Sequence, residues 1–211
     1  MFWRYGIFCS IFAGSIWGIF WHIIFTILGI LTLGVKLSLQ LEIFLFVGIL
    51  SSLFCLIFQK LTSLKFHFIS IIMIVAILYG ITSGEPYLQK NQNFISSFVL
   101  VFLTSVFIWI SIYLSLSKIT LGELSRYNYE KFYLRILWGL GLMTFILITL
   151  VPFYIMVMTS LKNQQSLILN PLDLSLDLTS DLNKLFSSYI ELFTDFNFHI
   201  FIFNSFVVSI V

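Results

Sequence analysis

The chain has 211 residues, of which 60% are hydrophobic and only 9% are charged. A soluble domain carries about a quarter charged residues, so this composition excludes an ordinary soluble globule, and the high apolar content excludes a disordered chain. The formal charge of +2 comes from 11 scattered lysines and arginines, which argues against a nucleic-acid partner. The composition predicts an all-α, polytopic membrane protein in contact with a lipid bilayer.

Apolar runs predict the helices in chain order. A helix needs about 20 apolar residues to cross a hydrocarbon core of about 30 Å, because lipid offers the backbone no hydrogen-bond partners. Residues 7–33, 41–58, 66–81, 94–116 and 136–158 predict five complete transmembrane helices. A sixth run, from Phe198 to Val211, predicts the start of another helix. The first run is longer than the apolar core of a cleaved signal peptide, about 7 to 15 residues, and so predicts a permanent anchor.

The distribution of basic residues predicts the orientation. Lysine and arginine collect in short loops that face the cytoplasm. A cytoplasmic amino terminus places Arg4 and the basic segment 118–135 on the cytoplasmic side. Residues 159–197 then lie outside, where acidic residues outnumber the two lysines, Lys162 and Lys184. We therefore predict a multi-pass protein with its amino terminus in the cytoplasm.

The outer segment 159–197 has internal order. Leucines alternate with polar residues from 172 to 178, which is the period of a short extended piece. From Asp181 to Phe196 apolar residues recur at helical spacing, and Thr179 and Ser180 are available as amino-terminal caps. This pattern predicts an amphipathic helix that lies on the membrane surface or against a partner.

Polar residues within the runs are scarce. His22 is the ionisable residue nearest to the middle of a span, and two interpretations stay open: it is satisfied by a neighbouring helix, or it belongs to a polar path. Residues near span ends are expected to anchor at the interface; these are Glu42, Lys60, His67 and Arg135. The Gly14 and Gly18 pair has the spacing that allows close helix packing.

The sequence offers little for catalysis. Cys9 and Cys55 each lie inside an apolar run and are expected to be buried or lipid-facing hydrophobes. No pair of carboxylates, metal-ligand spacing or Ser, His and Asp set falls within the predicted helices. We therefore expect neither an intramembrane enzyme nor a bound metal or cofactor.

The carboxy-terminal third carries a family pattern. Residues 151–162 read VPFYIMVMTSLK, and residues 189–211 read YIELFTDFNFHIFIFNSFVVSIV. This order resembles the opening part of the inner-membrane permease subunits of bacterial carbohydrate ABC importers of the maltose and glycerol-phosphate type. The matching positions are Pro152, Phe153, Ser160, Leu161, Lys162, Tyr189, Leu192, Phe193, Asn204 and Ser205.

The resemblance implies a place in a transport complex. It implies a bacterial inner-membrane subunit for sugars or related polyols, with an extracytoplasmic substrate-binding protein, a second permease subunit and ATPase subunits as partners. The chain would then divide into an added amino-terminal membrane block, 1–131, and the first part of a permease domain, 132–211. The family's coupling loop, with its Glu-Ala-Ala motif, has no counterpart before Val211, so the resemblance implies either a truncated or split permease or a fragment of a longer product. The alternative is a non-transporting membrane scaffold or assembly subunit with a permease-like remnant.

Overall fold

The chain is all-helical in the part that the structure describes. The computed structural model describes residues 4–33, 37, 39–58, 64–82, 94–117, 119–162 and 186–210. The helices are α1 Gly6–Leu33, α2 Leu41–Ile57, α3 Leu64–Ile81, α4 Phe94–Leu116, α5 Arg126–Ser160, α6 Ser187–Thr194 and α7 Phe198–Ile210. Extended pairing within these ranges is limited to one antiparallel bridge, between Tyr5 and Glu123. The predicted all-α class is therefore confirmed.

Four of the described helices are long and apolar enough to cross a membrane. They are Gly6–Thr32, Leu64–Ile81, Ser97–Leu116 and Arg126–Ser160. Helix α2 has 17 residues and a length of about 26 Å, slightly less than the roughly 30 Å core of a bilayer. These helices indicate a membrane protein, whereas the predicted total of five complete spans stays a prediction.

Helix α5 is longer than the apolar run that predicts it. The run covers 136–158, whereas the helix covers 35 residues, or about 52 Å. Its first part, from Arg126 to Arg135, contains polar and charged residues that do not suit a hydrocarbon environment. Apolarity therefore locates the membrane-compatible part of the helix and not its beginning.

The chain separates into two compact units. The first comprises Met1–Ile30 and Val35–Ile146, and the second comprises Leu31–Gly34 and Leu147–Val211. The predicted domain boundary between residues 131 and 132 stays a prediction. The start of α5 packs within the first unit, where Phe132 and Ile136 are buried.

Helix α1 contributes two rows of buried residues to the first unit. Its buried residues form two neighbouring rows with a spacing of four, the spacing that places side chains on one face of a helix. One row is Gly6, Ser10, Gly14, Gly18, His22 and Thr26, and the other is Cys9, Ala13, Trp17, Trp21, Phe25 and Gly29. The first row is mostly small and allows close approach, whereas the second contains the large aromatic residues of the core.

Glycines allow α1 and α2 to touch through their backbones. A Cβ atom at Gly14 would collide with the carbonyl oxygen of Gly48, and one at Gly48 would collide with that of Gly14. A Cβ at Gly18 would meet the carbonyl oxygen of Phe44 and come within 3.2 Å of the Gly48 Cα. The Gly14 and Gly18 spacing therefore serves helix packing, as in close crossings of membrane helices.

Two tryptophan–serine hydrogen bonds join α1 to α4. The indole N–H of Trp17 donates to Ser115 Oγ, and that of Trp21 donates to Ser111 Oγ, each at 2.8 Å. Because the earlier tryptophan pairs with the later serine, the two helices are antiparallel. Both donors are buried beside apolar residues, where an unpaired indole N–H would be costly.

We expect the Trp21–Ser111 pair to show a measurable coupling energy. Trp21→Phe and Ser111→Ala should each destabilise the protein, and the double variant should cost less than their sum, by about 0.6 to 1.7 kcal/mol. Unfolding of all four proteins in mild detergent by a denaturing detergent, followed by circular dichroism, measures the cycle. Strict additivity would show that the bond does not contribute to stability.

The second unit contains the end of α5 together with α6 and α7. Helices α6 and α7 are joined by a tight turn in which Asn197 has a φ of 50°, a left-handed conformation that asparagine tolerates better than most residues. Phe193 and Phe198 pack edge to face across this turn, with ring centroids 6.3 Å apart. Helix α7 has no buried residue within its described length, so its apolar side chains are exposed all round.

Candidate functional site

The first half of the permease-like pattern lies at the carboxy-terminal end of α5. Pro152 lies inside the helix, and Phe153 beside it is 58% exposed. Proline has no N–H and removes one backbone hydrogen bond, which loosens or kinks the helix at this level. Ser160 is the last helical residue, and Leu161 and Lys162 form the turn that follows, with the Lys162 N–H donating to Thr159 O at 3.2 Å.

A hydrogen bond connects the two halves of the pattern. The phenol of Tyr189, in α6, donates to Ser160 Oγ at 2.6 Å. Ser160 in turn donates to the carbonyl oxygen of Val157 at 2.8 Å, so its hydroxyl uses both its donor and one acceptor site. Residues 29 positions apart are therefore held together at the end of α5.

Four further pattern residues lie on α6 and α7 and are exposed. Leu192 and Phe193 lie on α6 and are 38% and 46% exposed. Asn204 and Ser205 lie on α7, where both are also exposed. The carbonyl of Ser205 accepts from Ser209 Oγ at 2.8 Å, which is a contact within the helix. In the described residues, the permease-like pattern therefore gives the hydrogen bond between Tyr189 and Ser160 and a set of exposed side chains on α6 and α7.

Helix α6 confirms part of the predicted amphipathic helix. The prediction covers Asp181 to Phe196, and the observed helix covers Ser187–Thr194. Tyr189, Ile190 and Phe193 fall along one side, with Glu191 on another. The predicted extended piece at 172–178, the predicted caps and Lys184 lie outside the described residues.

Loss of the Tyr189–Ser160 bond should loosen α6. We expect Tyr189→Phe to raise amide hydrogen exchange in 189–194 severalfold without changing exchange in α1 or α4, because one exposed hydrogen bond contributes about 0.5 to 1.5 kcal/mol. Hydrogen-exchange mass spectrometry of the detergent-solubilised protein measures this. Tyr127→Phe is the control, since Tyr127 lies on an exposed turn at the start of α5. Equal exchange in wild type and Tyr189→Phe would contradict the contact.

His22 has a structural partner in the first unit. Its side chain is fully buried, and its Nε2 accepts the backbone N–H of Gln40 at 3.0 Å. The ring also stacks on Phe44, with centroids 3.8 Å apart and an angle of 14° between planes. An Nε2 that accepts implies a neutral ring with its proton on Nδ1. Of the two interpretations left open by the sequence, these contacts favour satisfaction by a neighbouring segment.

The His22 contact satisfies the start of α2. Gln40 is the residue before α2, and α1 continues from His22 to Leu33, about 16 Å further. Leu37 packs beside Gly29, where a Cβ would come within 2.6 Å of Leu37 Cδ1. Leu37 therefore lies alongside α1, three residues before Gln40. A backbone N–H at this depth needs an internal acceptor, and His22 supplies it.

We expect His22→Leu to destabilise the protein by about 1 to 3 kcal/mol, because the buried N–H of Gln40 loses its acceptor. His22→Gln should restore part of the loss, since the amide oxygen of glutamine can reach the position of Nε2. Reversible unfolding in mild detergent measures both variants. Equal stability of His22→Leu and His22→Gln would show that the hydrogen bond does not matter.

Arg135 has a more specific role than the predicted interface anchor. Its Nη1 lies 3.0 Å from Ser115 O, 3.2 Å from Ser117 O and 3.1 Å from Ser117 Oγ. Ser115 lies in the last turn of α4, and Ser117 directly follows the helix. The carbonyls at a helix carboxy terminus have no partners within the helix and carry the negative end of the helix dipole. Arg135 therefore caps α4 from the side of α5.

The amino terminus lies against the loop between α4 and α5. Leu124 N–H donates to Arg4 O at 2.9 Å, and Gly6 N–H donates to Gly122 O at 3.2 Å. A side chain at Gly6 would collide with the carbonyl oxygen of Thr120, so glycine is required for this approach. Arg4 and the loop that precedes the basic start of α5 thus share one end of the first unit.

Sequence reasoning missed the polar contacts between helices. Besides the two tryptophan–serine bonds between α1 and α4, a third bond joins α4 to α3. In it, Trp109 Nε1–H donates to His67 Nδ1 at 3.1 Å. The sequence contains one signal for the tryptophan–serine contacts: Trp17 and Trp21 are four residues apart, as are Ser111 and Ser115.

Within the described ranges, no group of three or more His, Cys, Asp or Glu side chains could hold a metal ion. Cys9 and Cys55 are both buried, in agreement with the prediction.

The fold and these contacts define an all-helical membrane protein with a closely packed amino-terminal bundle. Comparison with known protein families, with curated proteins and with solved structures finds no match.

Proposed function

We propose that this chain is a membrane-spanning permease subunit of a binding-protein-dependent ABC importer for sugars or related polyols. The observation that supports the proposal most is the hydrogen bond from Tyr189 to Ser160. It joins the two separate sequence stretches that resemble the permease family. A pattern whose distant members contact each other is harder to explain by chance than one whose members are unrelated in space.

The proposal includes an orientation in the bacterial inner membrane. The amino terminus faces the cytoplasm, α1 to α5 are five complete spans, and α7 starts a sixth. The shared position of Arg4 and residues 122–124 supports this arrangement, since both ends then lie on the basic, cytoplasmic side. Arg126, Lys131 and Arg135 follow directly in α5.

Helix α6 is the proposed contact for extracytoplasmic partners. It presents exposed Tyr189, Ile190 and Phe193 beside the end of α5. The substrate-binding protein would approach on this side, whereas the ATPase subunits would act on the cytoplasmic side and a second permease subunit would complete the path. Residues 1–131 are an added amino-terminal membrane block.

Uptake measurements test the proposal. The gene is deleted in the cells that encode it, and uptake of a panel of radiolabelled sugars and polyols is measured at micromolar concentration. We expect loss of ATP-dependent uptake of one substrate class, restored by the wild-type gene and by Tyr127→Phe but restored poorly by Tyr189→Phe. Unchanged uptake across the whole panel would contradict the proposal.

A membrane scaffold or assembly subunit is the second candidate. It is favoured by the first unit, whose buried hydroxyls mostly donate to backbone carbonyls of their own helices and so contribute to packing. Examples are Ser51 to Val47, Ser70 to Phe66 and Ser105 to Val101. In that case the deletion would lower the abundance of another membrane protein, measured by quantitative proteomics, and leave uptake of the panel unchanged.

A further inference from the structure

A groove lies between α3 and α4 on the outside of the first unit. It has a volume of about 340 Å³. Leu64 and Leu114 line one end, and Ile71 and Ile110 line the other. His67 pairs with Trp109, and the later Tyr79 packs against the earlier Phe98, so α3 and α4 are antiparallel. The groove therefore runs along both helices for about two turns.

One polar side chain, that of His67, lies in the otherwise apolar wall of the groove. His67 lines it together with Trp109 and Tyr113. Trp109 donates to Nδ1 of His67, so the neutral imidazole carries its proton on Nε2, and that N–H is its one donor. The Tyr113 ring packs against the imidazole edge to face, with centroids 4.7 Å apart, and fixes the ring orientation.

The charge at the end of the groove lined by Leu64 and Leu114 is positive. Lys65 is the second residue of α3 and is exposed. Helices α3 and α4 themselves contain no aspartate or glutamate. An apolar groove that begins beside a lysine ammonium complements an amphiphile with an anionic head and a hydrocarbon tail.

We propose that this groove binds an anionic glycerophospholipid, with one acyl chain between α3 and α4 and its phosphate beside Lys65 and His67. The acyl chain contacts Phe68, Ile71 and Ile110, and the lysine ammonium and the imidazole N–H provide the polar contacts to the headgroup. This inference concerns the first unit and does not depend on the proposed transport function.

Native mass spectrometry of the full chain tests the charge component. The delipidated protein in mild detergent is titrated with phosphatidylglycerol and with phosphatidylcholine that has the same acyl chains. We expect tighter binding of phosphatidylglycerol, and about a fivefold smaller preference in Lys65→Gln, because one lysine near an anionic surface contributes that factor. Lys131→Gln, which removes the same charge at the start of α5, should keep the wild-type preference.

Filling the groove tests the position of the acyl chain. Ile110→Trp should reduce binding of both lipids severalfold, whereas Ile72→Trp, at an exposed position of α3 that does not line the groove, should not. Equal binding of the two lipids by wild type, or equal effects of Lys65→Gln and Lys131→Gln, would overturn the proposal. If Ile110→Trp fails to fold, the comparison of Lys65→Gln with Lys131→Gln alone decides whether the proposal holds.

Discussion

Gly48→Leu is expected to destabilise the protein by about 3 kcal/mol, the upper end of the usual cost of overpacking. A Cβ at this position meets the backbone of Gly14 and comes within 3.1 Å of the Gly18 Cα. Backbone atoms cannot rotate away as a side chain can, so α1 and α2 must separate. Separation also weakens the neighbouring contacts of His22 with Gln40 and Phe44, which depend on the same crossing.

The matched control for Gly48→Leu is Gly141→Leu. Gly141 lies in the interior of α5, and a Cβ there has no atom within 4 Å. Because leucine favours a helix over glycine by about 0.5 to 1 kcal/mol, this variant should be neutral or slightly more stable. Unfolding by a denaturing detergent, followed by circular dichroism, compares the two. Equal destabilisation of both variants would show that α1 and α2 do not cross through their glycines.

Arg135→Met is expected to cost about 2 to 3 kcal/mol, because it removes charge-assisted hydrogen bonds to the end of α4 while keeping a side chain of similar length. The carbonyls of Ser115 and Ser117 would then lose their donor. Fraying of the last turn of α4 should also disturb Ser115 Oγ, the acceptor for Trp17. The tryptophan emission spectrum is therefore expected to shift together with the loss of stability.

Arg126→Met is the control for Arg135→Met. Arg126 pairs with Glu130 at 2.8 Å, but both side chains are more than half exposed, and such surface pairs contribute little. We expect a change below about 0.5 kcal/mol. Arg135→Lys should recover only part of the stability, because the shorter lysine side chain does not carry its ammonium as far as the position of Nη1. Equal costs for Arg126→Met and Arg135→Met would contradict the cap.

The helices could be predicted from the sequence because hydrocarbon requires apolar residues and internal hydrogen bonds. Phe94–Leu116 has the predicted bounds, and α1 differs from its prediction by one residue. Helix α3 begins two residues before the predicted Phe66. The large difference is in α5, which begins at Arg126 and not at Ile136, since a helix that leaves the bilayer continues without an apolar signal.

The contacts could not be predicted because they depend on which helices become neighbours. The Gly14 and Gly18 spacing indicates close packing, but nothing in the sequence names Gly48 as its partner. In the same way, Arg135 near a span end suggests headgroup contact until the end of α4 is known to lie beside it. Among the ten pattern residues in the second unit, Ser160 and Tyr189 contact each other through a hydrogen bond.

The most direct test of the proposed membrane protein is the sidedness of the two ends of α5. Cys9 and Cys55 are replaced by alanine, and single-cysteine variants Arg126→Cys and Lys162→Cys are treated in intact cells with a membrane-impermeant maleimide. We expect Lys162→Cys to react at once and Arg126→Cys to react only after the membrane is permeabilised. Labelling of both positions from the same side would contradict a membrane-crossing α5 and, with it, the proposed permease topology.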